Sequence, residues 1–476
     1  VATPIPANRA QFTLAGLATA AGGTLVDLDP AATVEGVVTD SRLAAPGRAF
    51  VALRGEVHDG HRFAAAARDA GAVVLVERRA AIEGPRLEVD DGLAALSGIA
   101  RAWVDRGFAA DGPRPVLAIG GAAGKTTTKT LAAAAVAALF REPLVTAGNL
   151  NNRIGVPMTL LTLEPRHRAI VLECGTSVRG EIAALGALAR PDVALVINVG
   201  VEHAEGLGTL EEIADEEAAL LASARRVAIT AADEPLLVAR LAGATAPDKR
   251  TFGDGPAADA RLVTREVTSE GTSRLRITTP EGDVEIATAL PGATAAANLT
   301  AATAAALALL GRPATPDERT AVGVALGAVA PVPGRMAPVE SAAGVLILDD
   351  SYNANPRSVA AAIDTAREVA ARRAGTHSRA RLHLALGDML ELGPFSASAH
   401  DEILAAADAA GAATLLLIGP EFAAAAARRP PATAHRLYGE SAAAAREVAS
   451  LVSPGDVLLV KGSRGVRTEL LIPAVP

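Results

Sequence analysis

Gly121-Ala122-Ala123-Gly124-Lys125-Thr126, with Thr127 behind it, lies between the apolar run PVLAI and an alanine-rich stretch of helical character. A strand that turns through glycines into a helix can aim backbone N–H groups and the positive end of the helix dipole at an anion. Lys125 can neutralise the β- and γ-phosphates of a nucleotide, and the Thr126 hydroxyl can ligate Mg²⁺. The full G-x-x-x-x-G-K-T spacing is not met, because Ile119 stands at the first glycine position. A tight turn with a chance lysine is the plainer alternative, and the GKTTT continuation weighs against it. ATP and Mg²⁺ are therefore the expected cofactors.

Magnesium needs more oxygen or nitrogen partners than such a loop offers. Glu173 closes the run AIVLEC, and His203 follows VALVINV. In a parallel sheet both fall at the carboxyl edge, beside the phosphate loop. Each alone could be bland, as a solvent-facing carboxylate or a histidine satisfied by the backbone. Three strand ends converging on one edge favour a metal.

The elements that must position these groups are legible in the chain's texture. Its 476 residues exceed one hydrophobic core, so two to four domains are expected. To about residue 111 the chain is compact and mixed, with short apolar strands AFVAL and AVVLVE. Asp111-Gly112-Pro113 reads as a linker. From 112 to 331 apolar strands alternate with helical segments, which predicts a largely parallel sheet covered on both faces. Alternating RLRITT and DVEIATA near 260–290 predict a small antiparallel addition. After Pro331-Val332-Pro333-Gly334 the alternation restarts through VLILDD, LHLALGD, TLLLIG and VLLVKG, a second doubly wound domain over 332–476.

The bulk properties exclude several classes. A net charge of -8 argues against a nucleic-acid surface. One cysteine, Cys174, rules out an intramolecular disulfide or a thiolate cluster. No signal peptide is read at the N-terminus, and no apolar run approaches the roughly 20 residues that span a bilayer. A soluble cytoplasmic monomer without membrane insertion is expected.

Several stretches resemble the Mur ligase family: GNLNNRIGVPMTLL (148–161), ECGTSVRGEI (173–182), NVGVEHAEGLGTLE (198–211), DDSYNANPRS (349–358), LGDMLELG (386–393) and VKGSRGVR (460–467). DSR (40–42) and DGHRF (59–63) join them, and the likeness runs nearly end to end in the expected order. GNLNN, DDSYNANP and GDMLELG point to the branch that adds D-alanyl-D-alanine. The resemblance implies three α/β domains: a UDP-binding domain, a central ATPase and a Rossmann-like C-terminal domain. It implies joining of UDP-N-acetylmuramoyl-tripeptide to D-alanyl-D-alanine through an acyl phosphate, at the cost of ATP.

By the same resemblance Glu173 and His203 hold magnesium, and Asn149 and Asn152 lie beside nucleotide and metal. Asn298 and Arg335 meet the nucleotide, with Asp350 on its ribose. Asn353, Asn355 and Lys461 line the dipeptide side, and Ser41 and Arg42 the UDP-sugar end. Asn353-Ala354-Asn355-Pro356 could instead be a turn and helix start, and Asp40 could merely cap a local turn.

Three departures stand out. The family's polar loop run reads Gly120-Gly121-Ala122, and its His-Asn pair after a Pro-Gly turn reads Thr294-Ala295. Where these ligases typically carry a carbamylated lysine, this chain has Glu217. Glu217 is expected to give an anionic oxygen to the metal directly, without CO₂; alternatively Asp215, Glu216 and Glu217 form a solvated acidic helix face. Two rival functions stay open: a related amide ligase of the folate-polyglutamate or cyanophycin type, and a catalytically weak homologue that binds nucleotide and UDP-sugar as a regulator.

Overall fold

The computed structural model describes residues 3–55, 59–106, 112–200, 207–267, 273–375 and 380–475. Three α/β domains follow one another, each built on its own main sheet.

In the central domain Val116–Gly120 lies between Ala169–Glu173 and Val193–Val196, all parallel. Pro143–Val145 extends one side, and Val227–Ala231 with Asp248–Gly253 extends the other. The three innermost strands are buried at every position, which is why they read as unbroken apolar runs rather than alternating ones. Beyond them Ala260–Val267, Ser273–Thr279 and Gly282–Thr288 form the antiparallel addition.

One sheet face is covered by the helices Lys125–Phe140, Gly292–Ala308 and Pro316–Gly327. Gly292–Ala308 is buried nearly all round, so its amphipathic signal vanishes. Its alanines and threonines let it run close against its neighbours. The opposite face packs on Gly155–Leu161, Glu181–Ala189 and Leu210–Ala222, and that apolar cluster continues into the N-terminal domain. Trp103 fixes this junction by donating its indole N–H to Leu163 O at 3.1 Å.

The N-terminal sheet runs Thr24–Val26, Arg86–Val89, Val73–Glu77, Ala49–Val51, Val37–Val38, antiparallel only at its first pair. The linker expectation at 111–113 falls partly on residue 111, outside the described residues.

In the C-terminal domain Leu346–Asp350, Val457–Lys461, Leu382–Gly387, Thr414–Ile418 and His435–Tyr438 are parallel in that order. The strand latest in sequence thus lies between the first two. Two strands go beyond the four read from the sequence. His435–Tyr438 is mostly exposed and polar, and Ala337–Glu340 is an antiparallel edge holding Pro338, where proline is tolerated. Among the described residues no helix is long and apolar enough to cross a membrane.

Candidate active site

The phosphate loop leaves the buried strand Val116–Gly120 and enters the helix Lys125–Phe140 with Gly121 at φ 124° and Gly124 at φ 87°. Both angles lie where a side chain would be strained. Gly124 also faces Asn298, whose Oδ1 would lie 3.0 Å from a Cβ placed there. Asn298, buried on the neighbouring helix, therefore packs directly on the loop.

Three successive N–H groups of the loop are used inside the protein. Gly121 N–H donates to Glu217 Oε2 at 2.7 Å, Ala122 N–H to Asn198 O at 3.1 Å, and Ala123 N–H to Asn198 Oδ1 at 2.8 Å. Asn198 Nδ2 returns a bond to Ala123 O. Three of the loop's N–H groups are thus satisfied within the protein. Gly124, Lys125, Thr126 and Thr127 line the cleft at the start of the helix, the positive end of its dipole. The Lys125 ammonium bends back onto Gly121 O and Ala122 O.

Glu173 ends its strand, as expected, beside the loop. Its Oε1 accepts from Thr126 Oγ1 at 3.2 Å and from Asn151 Nδ2 at 2.9 Å. Lys129 Nζ lies 3.0 Å from Oε2, off the hydrogen-bond direction, so that buried oxygen has a charge partner but no aligned donor. Both side chains are at least 95% buried. Breaking such a pair costs about 3–5 kcal/mol. The 3.2 Å between Thr126 Oγ1 and Glu173 Oε1 fits an edge of a magnesium octahedron, roughly 3 Å for Mg–O bonds of about 2.1 Å. The pair fits Mg²⁺. Among the described residues no group of three acidic, His or Cys side chains is gathered to hold a metal, and His203 lies outside them.

Glu217 is only 3% exposed. It is absent from the cleft lining and turns Oε2 to the loop backbone, where the Gly121 N–H donates to it. Glu216 is also buried and accepts from Gly180 N–H and Ile182 N–H, at the start of the helix Glu181–Ala189. Of the acidic trio only Asp215 faces solvent, paired with Arg240. The solvated-face alternative fails for the other two.

The loop opens on a cleft of about 1040 Å³ shared by the central and C-terminal domains. Asn149, Asn152, Thr294, Arg335, Asn353 and Asn355 all border it. Asn149 Oδ1 accepts from Thr3. Asn152 Oδ1 accepts from Ile154 N–H and Gly155 N–H at the start of its helix. On the far wall Lys461 Nζ donates to Asp350 Oδ2 at 2.6 Å and to Asn353 O at 2.9 Å. Burial pushes the Asp350 carboxyl up, and the Lys461 charge acts against it. Asn355 caps the helix Pro356–Arg373 through Ser358 N–H, so the helix-start alternative holds for its side chain. The Arg335 guanidinium stacks 4.2 Å over the Tyr352 ring.

Ser41 and Arg42 stand apart, in a 3₁₀ turn of the N-terminal domain and outside the cleft lining. Asp40 caps that turn and pairs with Arg42, whose side chain is 87% exposed.

Sequence reasoning passed over Asn151, Asn198 and Lys129. A signal existed for two of them. Asn198 is the first polar residue after an unbroken apolar strand, and Lys129 lies one helical turn beyond Lys125.

A phosphate loop, a strand-end carboxylate and a second α/β domain closing one cleft define an ATP-dependent ligase architecture, and the comparisons agree. The Mur ligase middle-domain model matches residues 119–306, the Mur ligase glutamate ligase domain 334–464, and the Mur ligase catalytic domain 33–111. The chain belongs to the Mur ligase family. Within it, the chain is 37% identical to the UDP-N-acetylmuramoyl-tripeptide--D-alanyl-D-alanine ligase of Escherichia coli K12, over 80% of each chain. It is 31% identical to the ligase of that name from Bacillus subtilis, over 97% of each. A crystal structure of MurF from Acinetobacter baumannii superposes with TM-score 0.83 at 26% identity, over 99% of each chain. MurF from Thermotoga maritima, solved in complex with ADP, gives 0.78 at 26%, over 92% of this chain and 96% of that one.

Proposed function

We propose that this chain joins the terminal carboxylate of UDP-N-acetylmuramoyl-tripeptide to the amine of D-alanyl-D-alanine, with cleavage of ATP to ADP and phosphate, in peptidoglycan precursor synthesis. The observation that carries the reading is the shared cleft. The wall of Lys125, Thr126 and Glu173 faces the wall of Asp350, Asn353 and Lys461 across it. One wall suits phosphoryl transfer and the other suits presentation of an acceptor.

A carboxylate is a poor electrophile. Its oxygen attacks the γ-phosphorus of ATP, the bond to the ADP oxygen breaks, and an acyl phosphate forms. The free amine then attacks the acyl carbon, and the tetrahedral species expels phosphate. Such phosphoryl transfer asks the protein mainly for positioning and charge neutralisation. The first-turn N–H groups and the Lys125 ammonium hold the phosphates. Thr126, Glu173 and His203 are our candidates for holding Mg²⁺, which supplies charge neutralisation when bound. Asn298 and Arg335 are assigned to the nucleotide, with Asp350 toward its ribose. Asn149 and Asn152 are assigned to the substrate beside it, and Asn353, Asn355 and Lys461 to the dipeptide. Ser41 and Arg42 are assigned to the UDP end, which domain movement brings toward the cleft.

Domain limits at 1–111, 112–331 and 332–476, a monomeric working unit and a cytoplasmic location complete the reading. It is tested by phosphate release from ATP with the UDP-tripeptide, with and without D-alanyl-D-alanine, with mass detection of product. Release requiring both substrates, with the pentapeptide mass, is expected. Turnover with other acceptors only, or nucleotide binding without turnover, overturns it.

A further inference from the structure

Glu217 sits on the helix Leu210–Ala222, behind the phosphate loop. Its carboxylate is almost wholly buried and accepts the Gly121 N–H at 2.7 Å. A Cβ on Gly120 would press on it, falling 3.0 Å from Glu217 Oε2 and 3.0 Å from Leu220 Cδ2, so that these neighbours would have to give by a few tenths of an ångström. Neither Gly121 nor Glu217 lines the cleft. The carboxylate thus grips the loop from the side away from the ligand, while Asn198 grips the next two residues. A hydrogen bond from a buried N–H to a carboxylate is among the stronger polar contacts a protein makes.

We propose that Glu217 is a positioning residue for nucleotide binding: its buried carboxylate, admitted by the missing side chain of Gly120, fixes the Gly121 peptide and so the direction in which Lys125 and the first helical turn meet the phosphates. Gly120 and Glu217 form one device. The inference rests on reading the loop as a phosphate site, and it is independent of which carboxylate and amine are joined.

The test is direct binding of ATP and ADP by calorimetry on the full chain, with Mg²⁺ titrations and nucleotide-free melting curves alongside. Glu217→Ala is expected to weaken nucleotide about tenfold or more, the scale of a lost hydrogen bond to a charged group. Glu217→Gln keeps an oxygen acceptor in place and stays within about threefold. In both, the Mg²⁺ concentration at half-effect is unchanged. Gly120→Ala weakens binding too, and its loss combined with Glu217→Ala is smaller than the product of the two, as for groups in contact.

Unchanged affinity in Glu217→Ala overturns the proposal. So does a Glu217→Gln as damaging as Ala with a raised Mg²⁺ requirement, which would give the carboxylate to the metal. Should Glu217→Ala not fold, Gly120→Ala decides, and full affinity there is equally fatal. Loss of ligase activity with normal nucleotide binding would count against the acceptor assignment and leave this device standing.

Discussion

Arg357 of the C-terminal domain reaches across the cleft to the carboxylate of Glu234 in the central domain. It also donates to Val199 O at 3.2 Å. Glu234 is 5% exposed, so the ion pair is sheltered at one end. Arg265 and Glu368 make a second bridge at 3.0 Å, and Thr365 packs against Gly292. These contacts hold the two walls of the cleft together. Arg357→Ala is expected to lower kcat about tenfold, by making closure less favourable. Small-angle scattering with nucleotide bound should show a larger radius of gyration than wild type. A wild-type radius with wild-type kcat would rule the bridge out as a closing contact.

The spacing of Thr126 Oγ1 and Glu173 Oε1 makes the hydroxyl the cleaner handle on magnesium. Glu173 also carries the buried pair with Lys129, so its loss confounds stability with metal binding. Thr126→Val keeps volume and removes the ligand. Turnover is expected to fall about 100-fold, in the range for removing one preorganised electrostatic contact. The Mg²⁺ requirement should rise and the melting temperature should hold. An unchanged Mg²⁺ requirement would remove Thr126 from the metal site.

Glu217 stands where the family resemblance puts a carbamylated lysine, so this chain has no amine at that position for CO₂ to modify. Ligase rates in buffer stripped of CO₂ are therefore expected to equal those with saturating bicarbonate. Severalfold stimulation by bicarbonate would show that another group takes up CO₂.

The base of the C-terminal sheet carries a buried His383–Asp456 contact at 3.1 Å. Burial pushes the His383 imidazole below its usual range. Burial would raise Asp456, but the side-chain bond from Arg381 and the N–H groups of Arg381 and Ser453 outweigh it and hold that carboxyl low. The unfolded chain therefore binds protons more readily than the folded one at both groups. The His383 share of stability is complete above about pH 6.5 and drains as pH falls below it; the Asp456 share drains below about pH 3.8. Melting temperatures should decline from pH 7 to 5, and His383→Gln should flatten that segment. An identical slope in the variant would place the acid sensitivity elsewhere.

The strands of the parallel sheets were legible because burial on both faces leaves continuous apolar runs such as VLAIG and AIVLE. Strands whose burial is partial were not. His435–Tyr438 shows water three of its four side chains, and nothing in HRLY announces a strand. In the site, residue types identified Lys125, Thr126 and Glu173 as a group, and the structure brings Thr126 and Glu173 within hydrogen-bonding distance. The direction in which a side chain points was less accessible. Glu217 could be placed beside the loop by resemblance, but whether its carboxylate faces a metal or a peptide N–H depends on how the helix is rotated. Asn152 and Asn355 show the same limit: both reach the cleft border, yet their side-chain oxygens are taken by backbone N–H groups at helix starts.

The order of strands in the C-terminal sheet also sets a timetable for synthesis. Val457–Lys461 is the last of its strands to be made, yet it fills the slot between Leu346–Asp350 and Leu382–Gly387. Until residue 461 has cleared the ribosome, those two strands have no partner between them and Asp350 has no Lys461. The ATP half can fold while the acceptor half is still an open sheet, since domains fold as units and long-range pairing comes late. The residues of the phosphate loop thus precede in synthesis the strand that completes the opposite wall.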